Sequence, residues 1–549
     1  MLRFALVTAG MGIVTTASLA APLTFTSIVH TDGSANPPIN LTAFSQVSLG
    51  VDQQAAVIGM FDSQPGVSFT KVTSGGYGHA STQIIARGDA NDTIWSGNVD
   101  GATPVIEPTG TPFRDVSVST SRVTFLAQAA PPVLGFDRNY AILQYDPDTN
   151  NTPAGTKHRV VFEGDNHVPG ADTGDAFSLN SGNTIVPDYQ VNAAGRAAFG
   201  GTVANSDRIV TRSGPDDVYL VNNSTTNFNA TQTVPAKIAI TSDDDAVFIA
   251  TNGGSREVVQ RGPSAPQTRL SASDITAVIG SVGYHPSLLL GASPADTLTL
   301  VAKDTDSDTV DDNESLFVVH NSTVTELTTS RYDLTGGRRA LGQVSENGKV
   351  SYFAPSSSGH VWESVEYFDA SDSTSAQIAT LGASPLTGFD FIEFGLKASP
   401  LINGPSVNDS GTVVFEAVLD DTNDNTNDTF NSLWYWSALT GELTLIAREG
   451  DTPVTTIDGT TYGPGNPNGE LTISTLLFQD IETTHWDILR DGLSEDNFFA
   501  FGLTYTVNSG AFQYGVFVTP LPTPEPTSAM LAAPAALLLR RRRRGIGPF

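Results

Sequence analysis

The residues most able to do chemistry are acidic and lie in one short stretch. Asp304, Asp306 and Asp308 alternate along the chain, and Asp312 follows them within a few positions. Alternating carboxylates on a loop can converge on one hard cation, as in the first half of an EF-hand loop. Thr309 stands where that loop needs glycine, and no helical pattern flanks the stretch. The stretch therefore predicts a helix-free Ca²⁺ loop, with an aspartate-rich turn that binds no metal as the alternative.

No other set of residues predicts a cofactor or a reaction. The chain has no cysteine, which excludes disulfides, thiolate catalysis and cysteine-ligated metals. Its eight histidines are scattered, and neither a G-x-S-x-G motif nor a Walker loop occurs. No catalytic or cofactor-binding residue is predicted. Two carboxylates meeting in a central channel would allow glycoside chemistry, but the sequence does not say which ones would meet.

The elements that must position these residues come from a repeated pattern. In VNDSGTVVFEAVL (residues 407–419), Asn408 can bond its own backbone and open a tight turn. Gly411 supplies the positive φ that closes the turn. The strand that follows alternates around Phe415 and is apolar on both faces, which predicts that it is covered on both faces.

Two further copies keep the same pattern, VNAAGRAAFGG (residues 191–201) and VSENGKVSYFA (residues 344–354). Their turn and anchor residues are Asn192, Gly195 and Phe199 in the first, and Ser345, Gly348 and Tyr352 in the second. Weaker copies are anchored at Phe125, Phe248, Leu300 and Phe501. Three consecutive anchor spacings are 49, 52 and 52 residues, in the range typical of propellers and solenoids.

Each copy continues into further short apolar strands, which indicates an antiparallel meander that needs neighbours to bury both faces. We therefore predict an all-β fold, a single propeller of seven or eight blades over residues 21–519. No helix is predicted between residues 30 and 520. The alternative is two β-domains, divided near residues 253–266 or residues 370–385.

The first twenty residues have the pattern of a secretory signal peptide. Arg3 precedes an apolar run, and Ser18, Leu19 and Ala20 form a small-residue cleavage site. The run is too short for a permanent membrane span. Export and removal of residues 1–20 by signal peptidase are predicted.

The last thirty residues, 520–549, form a three-part tail. Pro524, Glu525 and Pro526 precede an apolar run over residues 529–539. Five consecutive basic residues follow, namely Arg540, Arg541, Arg542, Arg543 and Arg544. A basic cluster after an apolar run arrests translocation. The tail resembles the PEP-CTERM sorting signal of exported bacterial proteins, although its apolar run is short and contains Pro534. The resemblance implies processing by an exosortase-type enzyme and transient membrane contact through the tail.

The repeats themselves resemble the choice-of-anchor tandem-repeat proteins, exported bacterial proteins named for an N-x-x-G-x-x-A-F motif. The phrase AREGD (residues 447–451) is similar to one that ends a repeat in that family. The motif is structural, so the resemblance implies no reaction.

The net charge of −30 repels nucleic acid and anionic lipid. We therefore expect an exported protein at the cell surface or in extracellular matrix, with a structural or adhesive role and polysaccharide or matrix as partner. The alternative is an enzyme acting on extracellular polysaccharide through channel carboxylates.

Overall fold

The fold is seen in a computed structural model, in which the described residues form 37 strands and one helix. The structure describes residues 24–30, 39–50, 54–72, 80–89, 105–107, 112–120, 122–130, 139–147, 155–162, 177–178, 189–192, 194–203, 206–213, 217–220, 238–241, 243–252, 255–261, 267–280, 284–293, 297–304, 314–328, 342–356, 361–395, 404–422, 428–457, 460–477 and 492–522.

The strands of the described residues form eight sheets, each of which is one blade. Blade 1 contains β2 (Leu41–Leu49), β3 (Gln54–Phe61), β4 (Gln64–Val72) and β5 (Ala80–Arg87). Blade 2 contains β6 (Val105–Ile106), β7 (Phe113–Val118), β8 (Val123–Ala130), β9 (Asn139–Asp146) and β10 (Thr156–Phe162). Blade 3 contains β11 (Phe177–Ser178), β12 (Tyr189–Val191), β13 (Ala197–Val203), β14 (Ser206–Ser213) and β15 (Asp217–Leu220). Blade 4 contains β16 (Ala239–Ile240), β17 (Ala246–Asn252), β18 (Ser255–Arg261) and β19 (Gln267–Leu270).

The helix α1 (Ala272–Ile279) precedes the second half of the ring. Blade 5 contains β20 (Tyr284–Ser293), β21 (Thr297–Asp304), β22 (Glu314–His320) and β23 (Thr323–Glu326). Blade 6 contains β24 (Gly342–Val344), β25 (Lys349–Pro355), β26 (Trp362–Asp369) and β27 (Thr374–Thr380). Blade 7 contains β28 (Phe389–Phe394), β29 (Ser406–Val407), β30 (Thr412–Asp421), β31 (Thr429–Ser437) and β32 (Leu443–Arg448). Blade 8 contains β1 (Thr24–His30), β33 (Thr455–Ile457), β34 (Thr460–Tyr462), β35 (Leu471–Leu477), β36 (Phe498–Val507) and β37 (Phe512–Pro520).

Buried apolar side chains close these sheets into a ring. Eight clusters of such residues occur among the described residues, and seven of them each contain residues from two blades that are consecutive in the chain. The last cluster joins blade 8 to blade 1, with Val518 on one side and Val57 on the other. The all-β, single-propeller prediction is therefore confirmed, and the eight sheets fall within the predicted number.

Blade 8 is completed by a strand from the other end of the chain. β1 lies between β37, with which it is antiparallel, and β33, with which it is parallel. Phe25 packs edge-on against Phe501 with ring centroids 5.2 Å apart. Phe25 belongs to the cluster between blades 7 and 8, whereas Ile28 and Val29 belong to the cluster between blades 8 and 1. One strand thus supports both interfaces of the closing blade.

The repeated turn joins the first strand of a blade to the second. In blade 7 the N–H of Asn408 donates to the O of Thr412, and the N–H of Gly411 donates to the O of Asn408. This is a three-residue hairpin with its last residue in the left-handed region, at φ 78° for Gly411. We call the end of the ring that carries these turns the hairpin face. The paired residues at the ends of its turns are 50 and 54, 119 and 122, 192 and 196, 241 and 245, 293 and 297, 345 and 349, 408 and 412, and 494 and 498.

The second strand of each blade is buried on both sides. In β30, Phe415 packs toward blade 6 and Val414 toward blade 8, and both are fully buried. Phe199 and Tyr352 likewise pack toward the preceding blade, in β13 and β25. The three anchors therefore occupy equivalent surroundings.

The expectation that residues 30–520 contain no helix is wrong at α1. Ser271 caps its first turn in a reciprocal capping box with Asp274, and Gly280 ends it at φ 74°. Ile275 is buried between blades 4 and 5. The described helix is neither long nor apolar enough to cross a membrane.

Both breakpoints of the two-domain alternative fall inside blades. Residues 253–266 include β18, which pairs with β17 and β19. Residues 370–385 include β27, which pairs with β26. The ring is continuous through both places.

Replacement of Phe415 by alanine should lower the free energy of unfolding by about 3–5 kcal/mol, because it leaves a cavity between two blades. Urea denaturation followed by tryptophan fluorescence measures the change. Phe512→Ala is the matched control, since Phe512 is 72% exposed and its loss should change stability by less than about 0.5 kcal/mol. Equal effects of the two changes would contradict the assignment of Phe415 to the interface.

Candidate functional site

Asn408 fastens blade 7 to blade 8 on the hairpin face. Its Nδ2 donates to the backbone O of Ser494 at 3.0 Å and to Oδ1 of Asn497 at 2.9 Å. Its Oδ1 accepts the N–H of Thr412 at 3.0 Å. The side chain is buried, so an unmade bond here would leave a costly unsatisfied polar group. One amide therefore closes its own hairpin and also holds the next one.

Asn192 makes the same set of bonds from blade 3 to blade 4. Its Nδ2 donates to the O of Thr241 at 3.0 Å and to Oδ1 of Asp244 at 2.9 Å. Its Oδ1 accepts the N–H of Arg196 at 3.0 Å. The guanidinium of Arg196 also reaches Asp244, with Nε 3.1 Å from Oδ2. The two copies that retain the asparagine thus have one common function, which is to join neighbouring blades.

The copies without glycine are the partners of the copies with asparagine. Asp244 and Asn497 occupy the left-handed position that glycine fills elsewhere, with φ 67° and 58°. Both residue types tolerate that conformation. Each places a side-chain oxygen where the asparagine of the preceding blade donates. From the sequence alone these copies appear degenerate. In the ring, their side-chain oxygens accept the hydrogen bonds that the asparagines of the preceding blades donate.

Ser345 takes the asparagine place in blade 6 and makes only part of this pattern among the bonds described. Its Oγ accepts the N–H of Lys349 at 3.3 Å. The link to blade 7 comes instead from the backbone, because the N–H of Asn347 donates to Oδ1 of Asp409 at 2.6 Å. The N–H of Asp409 in turn donates to Oε2 of Glu495 at 2.6 Å. Acidic residues at the second hairpin position therefore accept bonds from the blade before.

Glycine at the fourth hairpin position also permits close approach of blades. A Cβ on Gly348 would lie 2.5 Å from Oγ1 of Thr297 in blade 5. Gly348 has φ 79°, which strains any residue with a side chain. Gly348 therefore serves both the turn and the contact with blade 5.

Lys349 and Asp369 form an ion pair behind the hairpin of blade 6, with Nζ 2.5 Å from Oδ2. Burial by itself would raise the pKa of Asp369. Hydrogen bonds from Lys349 and Ser371, and the lysine charge, outweigh burial and hold that pKa below its ordinary value. Burial by itself would lower the pKa of Lys349. The hydrogen bond to Asp369 and the negative charges nearby outweigh burial, so the pKa of Lys349 is raised. The pair is therefore charged at neutral pH.

A cavity of about 170 Å³ lies on the ring axis at the hairpin face. It is lined by the ends of the first strands and the following turns of blades 1, 2, 3, 6, 7 and 8. Three carboxylates, Asp115, Glu346 and Glu495, line it, and the described lining contains no lysine, arginine or histidine. Such a surface favours cations and hydroxyl-rich neutral molecules over anions. This cavity is the candidate functional site.

Asp115 reaches the cavity from a distorted strand. The register of β7 against β8 shifts between Arg114 and Val116, and Asp115 has φ 50°. The hydroxyl of Tyr189 in blade 3 donates to the O of Asp115 at 2.8 Å. Bulges of this kind redirect a side chain and are common near sites.

Sequence reasoning missed these three carboxylates. The signal for two of them was present, because Glu346 and Glu495 each follow the first residue of a repeat turn. Asp115 carried no comparable signal, since its position depends on the bulge.

The predicted metal ligands are largely outside the described residues. Asp304 is the last residue of β21, and Asp306, Asp308 and Asp312 lie in residues 305–313, which are not described. Within the described part of the chain no group of three His, Cys, Asp or Glu residues could hold a metal ion. The Ca²⁺ loop stays a prediction, as do the signal peptide and the sorting motif, whose residues are also outside the described ranges.

The AREGD phrase joins the last strand of blade 7 to blade 8. The guanidinium of Arg448 lies 4.2 Å from the ring centroid of Phe389, and its Nη2 is 3.2 Å from Oδ1 of Asp451. Oε1 of Glu449 accepts the N–H of Leu476 in β35 at 3.0 Å. The phrase is thus a structural link.

Trp434 and Trp436 pack between blades 6 and 7, and Tyr435 packs toward blade 8. Trp434 is 2% exposed, and its indole N–H donates to Oγ of Ser432 at 2.9 Å. These rings are packing residues and do not form a stacking surface for sugars.

Residues 310–468 match a family model described as a family of unknown function, DUF7453. A comparison with curated proteins gives no match. Among solved structures, the chain is similar to an oligogalacturonate lyase in complex with manganese, at 8% identity and TM-score 0.29, over 62% of this chain and 96% of that one. A prolyl endopeptidase is similar at 11% identity and TM-score 0.36, over 74% of this chain and 46% of that one. The β-propeller domain of the Trilobed protease from Pyrococcus furiosus is similar at 7% identity and TM-score 0.32, over 74% and 92%. Values this low carry no argument about activity.

Asn408→Ala should destabilise the protein by about 1–3 kcal/mol, because it leaves the N–H of Thr412 without its side-chain partner and removes one donor from the O of Ser494, which also accepts the N–H of Asn497. Urea denaturation measures the loss in the free energy of unfolding. Asn347→Ala is the control, since this residue is exposed in the equivalent hairpin of blade 6 and uses its backbone N–H for its bond to Asp409. A loss of similar size in both variants would refute the linking role of Asn408.

Asp369→Asn should lower stability at neutral pH, and the difference from wild type should vanish in acid. The folded pKa of Asp369 is depressed, so its contribution is present above the ordinary aspartate pKa and is lost as pH falls through the folded value. Urea midpoints measured from pH 7 down to about pH 2 test this. Asp372→Asn, at an exposed position in the turn after β26, is the control variant. A wild-type advantage that persists at the lowest pH would contradict the ion-pair explanation.

Proposed function

We propose that this protein is an exported, cell-surface-directed propeller with a structural or adhesive role. The observation that carries the proposal is the use made of the polar repeat residues. Asn192 and Asn408 direct both amide atoms into bonds that close hairpins and join blades. These hydrogen bonds use the polar groups of the repeat residues to stabilise the ring. The same groups are then not available to bind a substrate.

The chain outside the ring supports the surface-directed part of the proposal. An apolar N-terminal run with a small-residue cleavage site would serve signal peptidase. The tail with Pro524, Glu525 and Pro526, an apolar run and five arginines would serve an exosortase-type sorting enzyme. The proposed location is the cell surface or the surrounding matrix.

Charge supports extracellular polysaccharide or matrix as the partner. The chain carries 58 acidic and 28 basic residues, six of which are the arginines of the two terminal segments. An acidic body repels nucleic acid and favours cationic or neutral polymers. Direct Ca²⁺ binding by the loop after β21 would add a bridge between this body and acidic polymers.

The alternative function is hydrolysis or lysis of an extracellular polysaccharide at the axial cavity. The three carboxylates that line this cavity favour it. Glu366, a carboxylate whose pKa burial raises, lies instead in β26, hydrogen-bonded to Ser364 and Gln377, and does not line the cavity. New reducing ends released from a polysaccharide, and lost in Asp115→Asn or Glu346→Gln, would establish the alternative.

Replacement of all five residues Arg540–Arg544 by glutamine should shift the protein from the washed-cell fraction to the medium. The apolar run without its basic stop no longer arrests translocation. Immunoblots of cell, surface and medium fractions in a host with exosortase-type sorting measure the shift. The matched control replaces the same five residues by lysine, which keeps the charge and should keep the protein on cells. An unchanged distribution in the glutamine variant would reject the proposed sorting role.

A further inference from the structure

The two ends of the described body leave the ring side by side. β1 and β37 are antiparallel neighbours, and Thr26 lies opposite Val518, so Thr24 is at the same end of the sheet as Leu521. The N–H of Leu521 donates to the O of Asn497 at 2.8 Å. Asn497 belongs to the turn of blade 8 on the hairpin face. Both ends therefore emerge at the hairpin face.

Short spacers separate these ends from the two apolar segments. Residues 21–23 lie between the predicted cleavage site and Thr24, and residues 523–528 lie between Pro522 and Ala529. At about 3.5 Å per extended residue, the spacers reach at most about 10 Å and about 20 Å. A bilayer that holds either segment is therefore within about 20 Å of the hairpin face. The opposite face is farther by the length of a blade strand, roughly 25–30 Å.

We propose that the hairpin face is the surface that this protein turns toward a lipid bilayer, and that the opposite face is presented outward. The inference rests on the proposed function, because it requires the terminal segments to engage a membrane. It also places the mouth of the axial cavity on the membrane side.

The negative charge of the hairpin face is repelled less by an anionic bilayer at the distance that the C-terminal spacer allows than at the distance that the N-terminal spacer allows. Glu346, Asp409 and Glu495 lie in its turns. Repulsion between these carboxylates and anionic lipid is strong within a Debye length, which is about 8–10 Å at physiological salt. The N-terminal spacer keeps the face close to that range, and the C-terminal spacer lets it stand about two Debye lengths away. Removal of residues 1–20 therefore relieves the repulsion while the tail keeps the orientation.

The absence of cysteine from the chain allows a clean test with single labels. Leu439 is 70% exposed and lies in the turn between β31 and β32, where the N–H of Ala438 donates to the O of Gly411 on the hairpin face. Phe512 is 72% exposed and is the first residue of β37, directly after the turn that joins β36 to β37 at the opposite face. Leu439→Cys and Phe512→Cys thus place one fluorophore at matched exposure on the two faces.

Each full-length cysteine variant is synthesised in the presence of phosphatidylcholine vesicles and is then labelled with the fluorophore. One set of vesicles carries a nitroxide on the lipid headgroup, and a second set does not. Vesicle flotation reports whether the chain is held on the membrane. We expect the nitroxide lipid to quench the label at 439 several-fold more than the label at 512. In the absence of vesicles, a water-soluble nitroxide should quench the two labels equally, which controls for exposure.

The two readouts separate the inference from the function on which it rests. A chain that floats with equal quenching at both positions, or with stronger quenching at 512, overturns the orientation and leaves membrane attachment standing. A chain that does not float overturns the proposed membrane attachment, and the orientation with it. Flotation with preferential quenching at 439 supports both.

Discussion

Burial of both faces of every blade is the constraint on which this structure depends. β30 shows it most clearly, with Phe415 directed to one neighbour and Val414 to the other. A sheet of this kind cannot end a stack, because its last face would be exposed to water at about 25 cal/mol for each Å² of apolar surface. A closed ring solves the problem, since every sheet then has two neighbours. The six-stranded blade 8 is where that solution is completed.

A second constraint acts where the strands turn near the axis. Turns leave backbone N–H and C=O groups that need partners wherever they are buried. Side chains of adjacent blades meet this need, as Asn408 does for Ser494 and Asp409 does for Asn347. In blades 1 and 2, Gln46 and Ser48 accept the N–H groups of Val116 and Val118 in the same way. The polar ring at the hairpin face is thus a network that spans blades.

The repeat pattern allowed much of the architecture to be predicted. A turn at Asn408 and Gly411, and a doubly covered strand at Phe415, follow from local rules about side-chain hydrogen bonds, positive φ and alternation. The second role of Asn408 could not be predicted, because its partner Asn497 becomes adjacent only in the closed ring. For the same reason Asp244 read as a poor copy of glycine although it is an acceptor for Asn192. The axial carboxylates depend on where first strands end and bulge, which no local pattern encodes.

The position of β1 has a consequence for how the protein reaches its native state. β1 precedes blade 1 in the chain, yet its ladder with β37 joins residues separated by most of the polypeptide. Contacts of such long range form slowly, since loop-closure entropy must be overcome first. Before β37 is made, the stacked blades leave two apolar sheet faces uncovered, and such intermediates aggregate readily. The nascent chain is therefore vulnerable until synthesis is nearly finished, and its topology calls for chaperone protection throughout that interval.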